Sequence, residues 1–221
     1  MAVNREHYKS VLDELTAKGA TLVAVSKTKP VEDIQALYDL GQRDFGENYV
    51  QELIAKQPLL PSDIRWHFIG HLQRNKVKYI VPFCSLIQGV DSIALLQEIN
   101  KQAKKLDRKV DCLLQVHIAK EETKFGMDEA EVMEAIALSK ELSHVRIKGL
   151  MGMASLTVDL ELIKAEFHGL HTIFNKIREL NPEVQVLSMG MSSDYHLALK
   201  KGSNMVRVGS LLFGARAPRI I

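Results

Sequence analysis

A lysine amine forms covalent bonds with carbonyl compounds only when it is uncharged, and the surroundings of Lys27 are of the kind that favour that state. The apolar run Thr21-Leu22-Val23-Ala24-Val25-Ser26 leads directly into Lys27-Thr28-Lys29-Pro30. Alternation along an extended segment puts Val23, Val25 and Lys27 on one face, with an apolar stem beneath the amine. Desolvation and neighbouring cations both depress a lysine's pKa, and the neutral amine condenses with an aldehyde. Lys29 reads as an ordinary solvated lysine at a strand end. Far along the chain lie Ser188-Met189-Gly190-Met191-Ser192-Ser193-Asp194 and Arg207-Val208-Gly209-Ser210. Small side chains let the backbone approach an anion, and helix N-terminal N–H groups point at it. Ser192, Ser193, Gly209 and Ser210 therefore form a candidate phosphate cradle, with Ser192 or Ser193 also expected to cap the next helix. An amine at one end and an anion cradle at the other describe a site for a phosphorylated aldehyde.

These residues meet only if the fold brings the two ends of the chain together. Short β-branched or apolar runs at 21–26, 43–46, 65–70, 85–90, 110–118, 147–151, 184–188 and 205–208 read as strands. Helical periodicity fills the intervals at 31–40, 48–56, 75–81, 92–106, 128–142, 159–180 and 195–201, after a leader helix at 4–18. Eight strands alternating with helices predict an α/β fold, a single (β/α)8 TIM-type barrel with an extra N-terminal helix. A doubly wound open sheet is the alternative, but it usually carries a glycine-rich nucleotide loop after its first strand, and neither GxGxxG nor GxxxxGK[ST] occurs. No Pro/Ser-rich linker or repeat divides residues 1–221, so one domain is expected. In a closed barrel strand eight lies beside strand one, which carries Arg207 to the ring of a pyridoxal-type aldehyde rather than to its phosphate. A guanidinium keeps its proton, so it would hold a pyridine nitrogen unprotonated and weaken the ring as an electron sink. A salt-bridged arginine is the plainer alternative.

Composition removes several classes of function. The chain of 221 residues is 46% hydrophobic, with no apolar run of membrane-spanning length and no basic-then-apolar start at Met1 to Arg5. A soluble cytoplasmic protein is expected. Cys84 and Cys112 lack CxxC spacing and sit in apolar runs, which predicts reduced, buried thiols. A net charge of +2 gives no footprint for nucleic acid. His67 and His71 are four apart but on a strand, where that spacing does not converge on a metal. His168 and His171 share a helical face without an acidic or sulfur ligand. The basic run Gln73-Arg74-Asn75-Lys76-Val77-Lys78 reads as a solvated face.

Taken in order, AVSKTKP (24–30), FGENYVQE (45–52), WHFIGHLQRNK (66–76), KGLMGMA (148–154), SMGMSSD (188–194) and VRVGSLLFGAR (206–216) resemble the YggS/PROSC pyridoxal 5′-phosphate homeostasis proteins. That family is related to the N-terminal barrel of alanine racemase, and the resemblance covers essentially the whole chain. It implies that Lys27 forms a Schiff base with pyridoxal 5′-phosphate, that Ser192, Gly209 and Ser210 hold the phosphate, and that Arg207 faces the pyridine nitrogen. Asn48 is placed near the cofactor, and Met151 and His67 are expected at the same mouth. Lys124, in Lys124-Phe125-Gly126, becomes a candidate second, transient site. Family members bind and release the cofactor without established catalysis. Racemisation needs a second acid/base opposite the lysine, and a chain stopping at Ile221 is expected to lack the extra β-domain that supplies it in the racemase. Delivery of the cofactor to apo-enzymes by a monomer or weak dimer is the leading expectation. A racemase-like enzyme and a regulatory module that contacts partners only when loaded are the alternatives.

Overall fold

In the computed structural model, which describes residues 3–121 and 125–214, eight parallel strands close into a barrel in sequence order. They are β1 (Thr21–Val25), β2 (Asp44–Glu47), β3 (Arg65–Phe68), β4 (Leu86–Val90), β5 (Val110–Gln115), β6 (Val145–Met151), β7 (Val186–Met191) and β8 (Met205–Val208). The expected barrel is present, leader helix included. Helices α1 (Arg5–Ala17), α2 (Val31–Asp39), α3 (Val50–Lys56), α4 (Val77–Ile80), α5 (Ile93–Lys104), α6 (Glu129–Ser139), α7 (Leu160–Leu180), α8 (Tyr195–Lys200) and α9 (Ser210–Phe213) complete the ring. Asn4, Ser92, Asp128 and Asp159 cap α1, α5, α6 and α7 through their side chains, which gives otherwise orphaned N–H groups an acceptor. Among the described residues no helix is long and apolar enough to cross a membrane.

Three local differences from the sequence reading bear on the site. Strand β7 continues to Met191 rather than stopping at 188, and its pairing with β8 is irregular between Ser188 and Met191. Gly190 permits this at φ +95°, where a Cβ would come within 2.6 Å of the Ala198 Cβ. Asn48 and Tyr49 stay outside α3, Tyr49 being extended at the cap position. The single turn α9 was not expected from periodicity, because four residues are too few to show any.

Two kinds of packing hold the barrel. Outside it, the helices bury one continuous apolar layer; α7 contributes Ile163, Phe167, Leu170, Phe174 and Ile177, spaced three or four apart. Inside, Val23, Leu86, Leu113, Met151 and Met205 form a small apolar cluster. Each such side chain, fully buried, contributes about 1.5–3 kcal/mol. Also buried on strands β3, β4, β7 and β8 are His67, Gln88, Ser188 and Arg207, which give the interior a polar stretch. Cys84 and Cys112 are buried and unbridged; burial pushes the Cys84 thiol up to about 11 and raises that of Cys112 as well.

Candidate functional site

Closure of the barrel pairs Val23 with Arg207 and Ala24 with Val208 across β1 and β8. Lys27 therefore leaves β1 beside the point where Gly209 and Ser210 leave β8. Between them opens a cavity of about 400 Å³, lined by Lys27, Asn48, Ser192, Arg207, Gly209 and Ser210 together with Lys29, Met153 and Leu211. Of the positions singled out in the sequence for binding, Lys27, Asn48, Ser192, Ser193, Arg207, Gly209 and Ser210 share this one cavity. Met151 is fully buried in the interior cluster below, and Met153 lines the cavity in its place. His67 is likewise not at the mouth: it lies buried within the barrel, bonded to Asp44 and Gln88. Lys124 lies outside the described residues.

The turn that presents Lys27 is held from behind. Its Ser26 carbonyl accepts from the Lys29 N–H at 3.0 Å and from the Lys56 ammonium at 2.9 Å. The Ser26 hydroxyl donates to Glu47 at 2.7 Å, and Lys56 bridges Glu47 and Glu52 at 2.7 and 2.6 Å. Thr28 adopts a left-handed conformation at φ +63°, costly for a β-branched residue, while its N–H donates to Glu52. Burial raises the Glu47 carboxyl above the usual range, against the pull of Lys56 and Ser26. Lys29 departs from the sequence reading: it is buried, and its ammonium donates to the carbonyls of Phe213 and Gly214 at 2.8 and 3.4 Å. A cation at the last carbonyls of a helix satisfies acceptors the helix itself cannot, so Lys29 ties the first loop to α9.

The other wall is made of small residues. Ser192 accepts from the Gly209 N–H at 3.2 Å, joining the loops after β7 and β8. The capping expected of Ser192 or Ser193 is not made, because α8 starts two residues later with Asp194 at its cap position, and Asp194 accepts instead from the Met191 N–H. A Cβ on Gly209 would lie 3.2 Å from the Val25 carbonyl oxygen, so the close approach of β8 to β1 favours glycine there. No side chain among the described residues caps the first turn of α9. Asn48 brings a buried carboxamide oxygen that has no hydrogen-bond partner among the described residues.

Arg207 forms the floor. It is 3% exposed and donates to the Ser188 carbonyl and hydroxyl at 2.8 and 2.7 Å and to the Gly152 carbonyl at 2.9 Å. Burial pulls its pKa down to about 10, with the Asp194 charge opposing, so at neutral pH it remains a cation.

A (β/α)8 barrel that brings an amine, a wall of small residues and a buried guanidinium to one mouth defines the class. A family model described as alanine racemase, N-terminal domain, matches residues 4–217. A protein of Pasteurella multocida named pyridoxal phosphate homeostasis protein is 38% identical over 202 residues, covering 88% of this chain and 86% of that protein. One of the same name from Schizosaccharomyces pombe is 40% identical over 203 residues, 90% of this chain and 85% of that one. The solved structure of PipY from Synechococcus elongatus without PLP superposes with a TM-score of 0.90 at 38% identity, covering 95% of this chain and 99% of that one. PipY with PLP bound gives 0.87 at the same identity and coverage. An alanine racemase of Clostridium difficile shares the fold, with a TM-score of 0.78 at 15% identity over 62% of that chain. This chain belongs to the alanine racemase N-terminal domain family and, within it, to the pyridoxal phosphate homeostasis proteins.

Proposed function

We propose that this protein binds pyridoxal 5′-phosphate at the mouth of the barrel, linked to Lys27 as a Schiff base, and that it serves cytoplasmic homeostasis of that cofactor by holding and delivering it to apo-enzymes. The carrying observation is that Lys27 and the loops ending in Ser192, Gly209 and Ser210 line one cavity. The residues suit the group. Lys27 would supply the amine that condenses with the aldehyde, the small residues and uncapped N–H groups would receive the phosphate, and the Arg207 guanidinium would face the ring nitrogen. The orphaned Asn48 oxygen offers a further polar contact to the ring substituents. When bound, the cofactor supplies an electron-withdrawing ring and a reactive carbonyl.

Storage rather than turnover is supported by what lines the cavity. Among the described lining residues, Lys27, Lys29 and Arg207 are the ionisable ones, and none is a carboxylate, imidazole, thiol or phenol. Lys29 is committed to the α9 carbonyls and Arg207 to Ser188 and Gly152. A racemase-like reaction needs a second acid/base on the face opposite the lysine, and these residues do not offer one. Delivery further asks for a site open enough to release its ligand, as a monomer or weak dimer with an exposed mouth would.

The test is direct. Mixed with pyridoxal phosphate and reduced with borohydride, the protein should carry a stable mass adduct that maps to Lys27, and Lys27→Ala should lose it. An adduct elsewhere, or none, overturns the reading. Transfer to an apo-enzyme at a rate above that of free cofactor release would support delivery, and production of a racemised or deaminated amino acid would replace it.

A further inference from the structure

Behind Arg207 a chain of buried polar groups crosses the barrel and emerges at its opposite end. Arg207 donates to the Ser188 hydroxyl at 2.7 Å, and that hydroxyl donates to the Gln88 carboxamide oxygen at 2.7 Å. The Gln88 amide nitrogen lies 2.9 Å from His67 Nδ1, and His67 Nε2 lies 3.0 Å from Asp44, which a bidentate Arg65 also holds. Strands β8, β7, β4, β3 and β2 each contribute one of the five links from Arg207 to Asp44. Gln88 and Ser188 are fully buried, and His67 is 4% exposed. Polar groups cost free energy in such a place unless each finds a partner.

The chain admits one consistent direction. A guanidinium only donates, so the Ser188 hydroxyl must spend a lone pair on Arg207 and point its proton at Gln88. Gln88 must then offer oxygen to Ser188 and N–H to His67. That leaves His67 Nδ1 as the acceptor and puts its proton on Nε2, where the Asp44 carboxylate receives it. Asp44 is suited to this: burial disfavours its charge, but the hydrogen bonds and charges of His67 and Arg65 hold its carboxyl down to about 2.

We infer that Gln88 is a positioning residue for the cofactor site, acting through Ser188 to orient Arg207 and simultaneously fixing which nitrogen of His67 carries the proton. The inference rests on the binding reading above for its consequence at the cofactor, but not for the state of His67. Gln88→Met fills the same space without either polar end. Ser188 then loses its acceptor, Arg207 gains freedom, and pyridoxal phosphate is retained about tenfold less tightly, the loss expected for one hydrogen bond of about 1.4 kcal/mol. Gln88→Glu keeps an acceptor for Ser188 and so restores retention relative to Gln88→Met, but it demands a proton from His67 Nδ1.

The experiment pairs two readouts. In protein without cofactor, ¹⁵N spectra of the histidine rings at pH 7 should show His67 protonated on Nε2 alone in the parent and on both nitrogens in Gln88→Glu. In protein loaded with pyridoxal phosphate, the absorption maximum and the release rate should change in Gln88→Met, change in the same direction and by at least as much in Ser188→Ala, and return toward the parent in Gln88→Glu. Ser188→Ala, the smaller excision, serves if Gln88→Met does not fold. Nδ1 protonation in the parent overturns the inference, as does a spectrum unmoved by both Gln88→Met and Ser188→Ala, or equal loss in Gln88→Met and Gln88→Glu. If the parent takes no label at Lys27, the binding reading falls, and the ¹⁵N result alone decides this one.

Discussion

Of the cations buried at or behind the cavity, Lys56 and Arg207 are held in opposite ways. Lys56 lies behind the Lys27 turn between two carboxylates, Glu47 and Glu52, with the Ser26 carbonyl as third partner. Arg207 lies in the barrel with carbonyls and a hydroxyl, and among the described residues no carboxylate pairs with it. A buried cation paired directly with carboxylates spends its charge on the fold, whereas one whose direct partners are dipoles keeps more of its charge for something else to meet. The comparison separates a structural charge from one available to a ligand.

The largest effect should follow from breaking the first arrangement. Lys56→Met strands Glu47 in a fully buried position and is expected to cost about 3–5 kcal/mol, read by denaturant unfolding near neutral pH. Because burial raises the folded-state pKa of Glu47, the part of that loss owed to its charge is absent once Glu47 is protonated. The deficit should therefore shrink as pH falls toward the ordinary glutamate range, and a deficit constant from pH 7 to pH 4 would show that Glu47 is not its source. Arg207→Met should do much less to the empty protein. It removes a desolvated charge that no carboxylate pairs with among the described residues, at the expense of three acceptors, so a change of no more than about 2 kcal/mol is expected, alongside clear loss of cofactor retention. Equal destabilisation by the two variants would dissolve the distinction.

Smaller effects sharpen it. Asp44 has a depressed folded-state pKa, so its contribution is present above the unfolded value of 3.8 and disappears as pH falls through about 2. The stability gap between the parent and Asp44→Asn should accordingly close across that window and be flat above pH 5. Smallest of all is Thr28→Gly. It relieves a left-handed β-branched residue at about 1–3 kcal/mol but adds about 1 kcal/mol of unfolded-chain entropy, for a net gain near 1 kcal/mol in thermal unfolding. A loss instead would mean that the Thr28 side chain itself supports the turn.

Much of the site could be read from the sequence because being at a strand end is a one-dimensional property. Once eight strands are counted, Lys27, Ser192, Arg207, Gly209 and Ser210 fall at one mouth with no knowledge of register. What needed three dimensions was missed. Gln88 and Ser188 meet across the barrel from β4 and β7, a hundred residues apart, and nothing in either strand's periodicity announces the partner. Met151 was placed one layer too high: on β6 the inward position at the end of the strand belongs to the interior cluster, and the cavity begins two residues later at Met153. Lys29 reads as solvated from its strand-end position because its acceptors belong to α9, a turn too short to leave a pattern.

The Lys29 tether has a mechanical consequence. By gripping Phe213 and Gly214 it fastens the first loop of the barrel to the last, so the wall that bears Lys27 and the wall that bears Ser210 are tied together. A ligand seated between them gains no exit by prying that seam apart. Asn48, Ile69 and Met153 complete the lining and are the residues it would pass on any other way out.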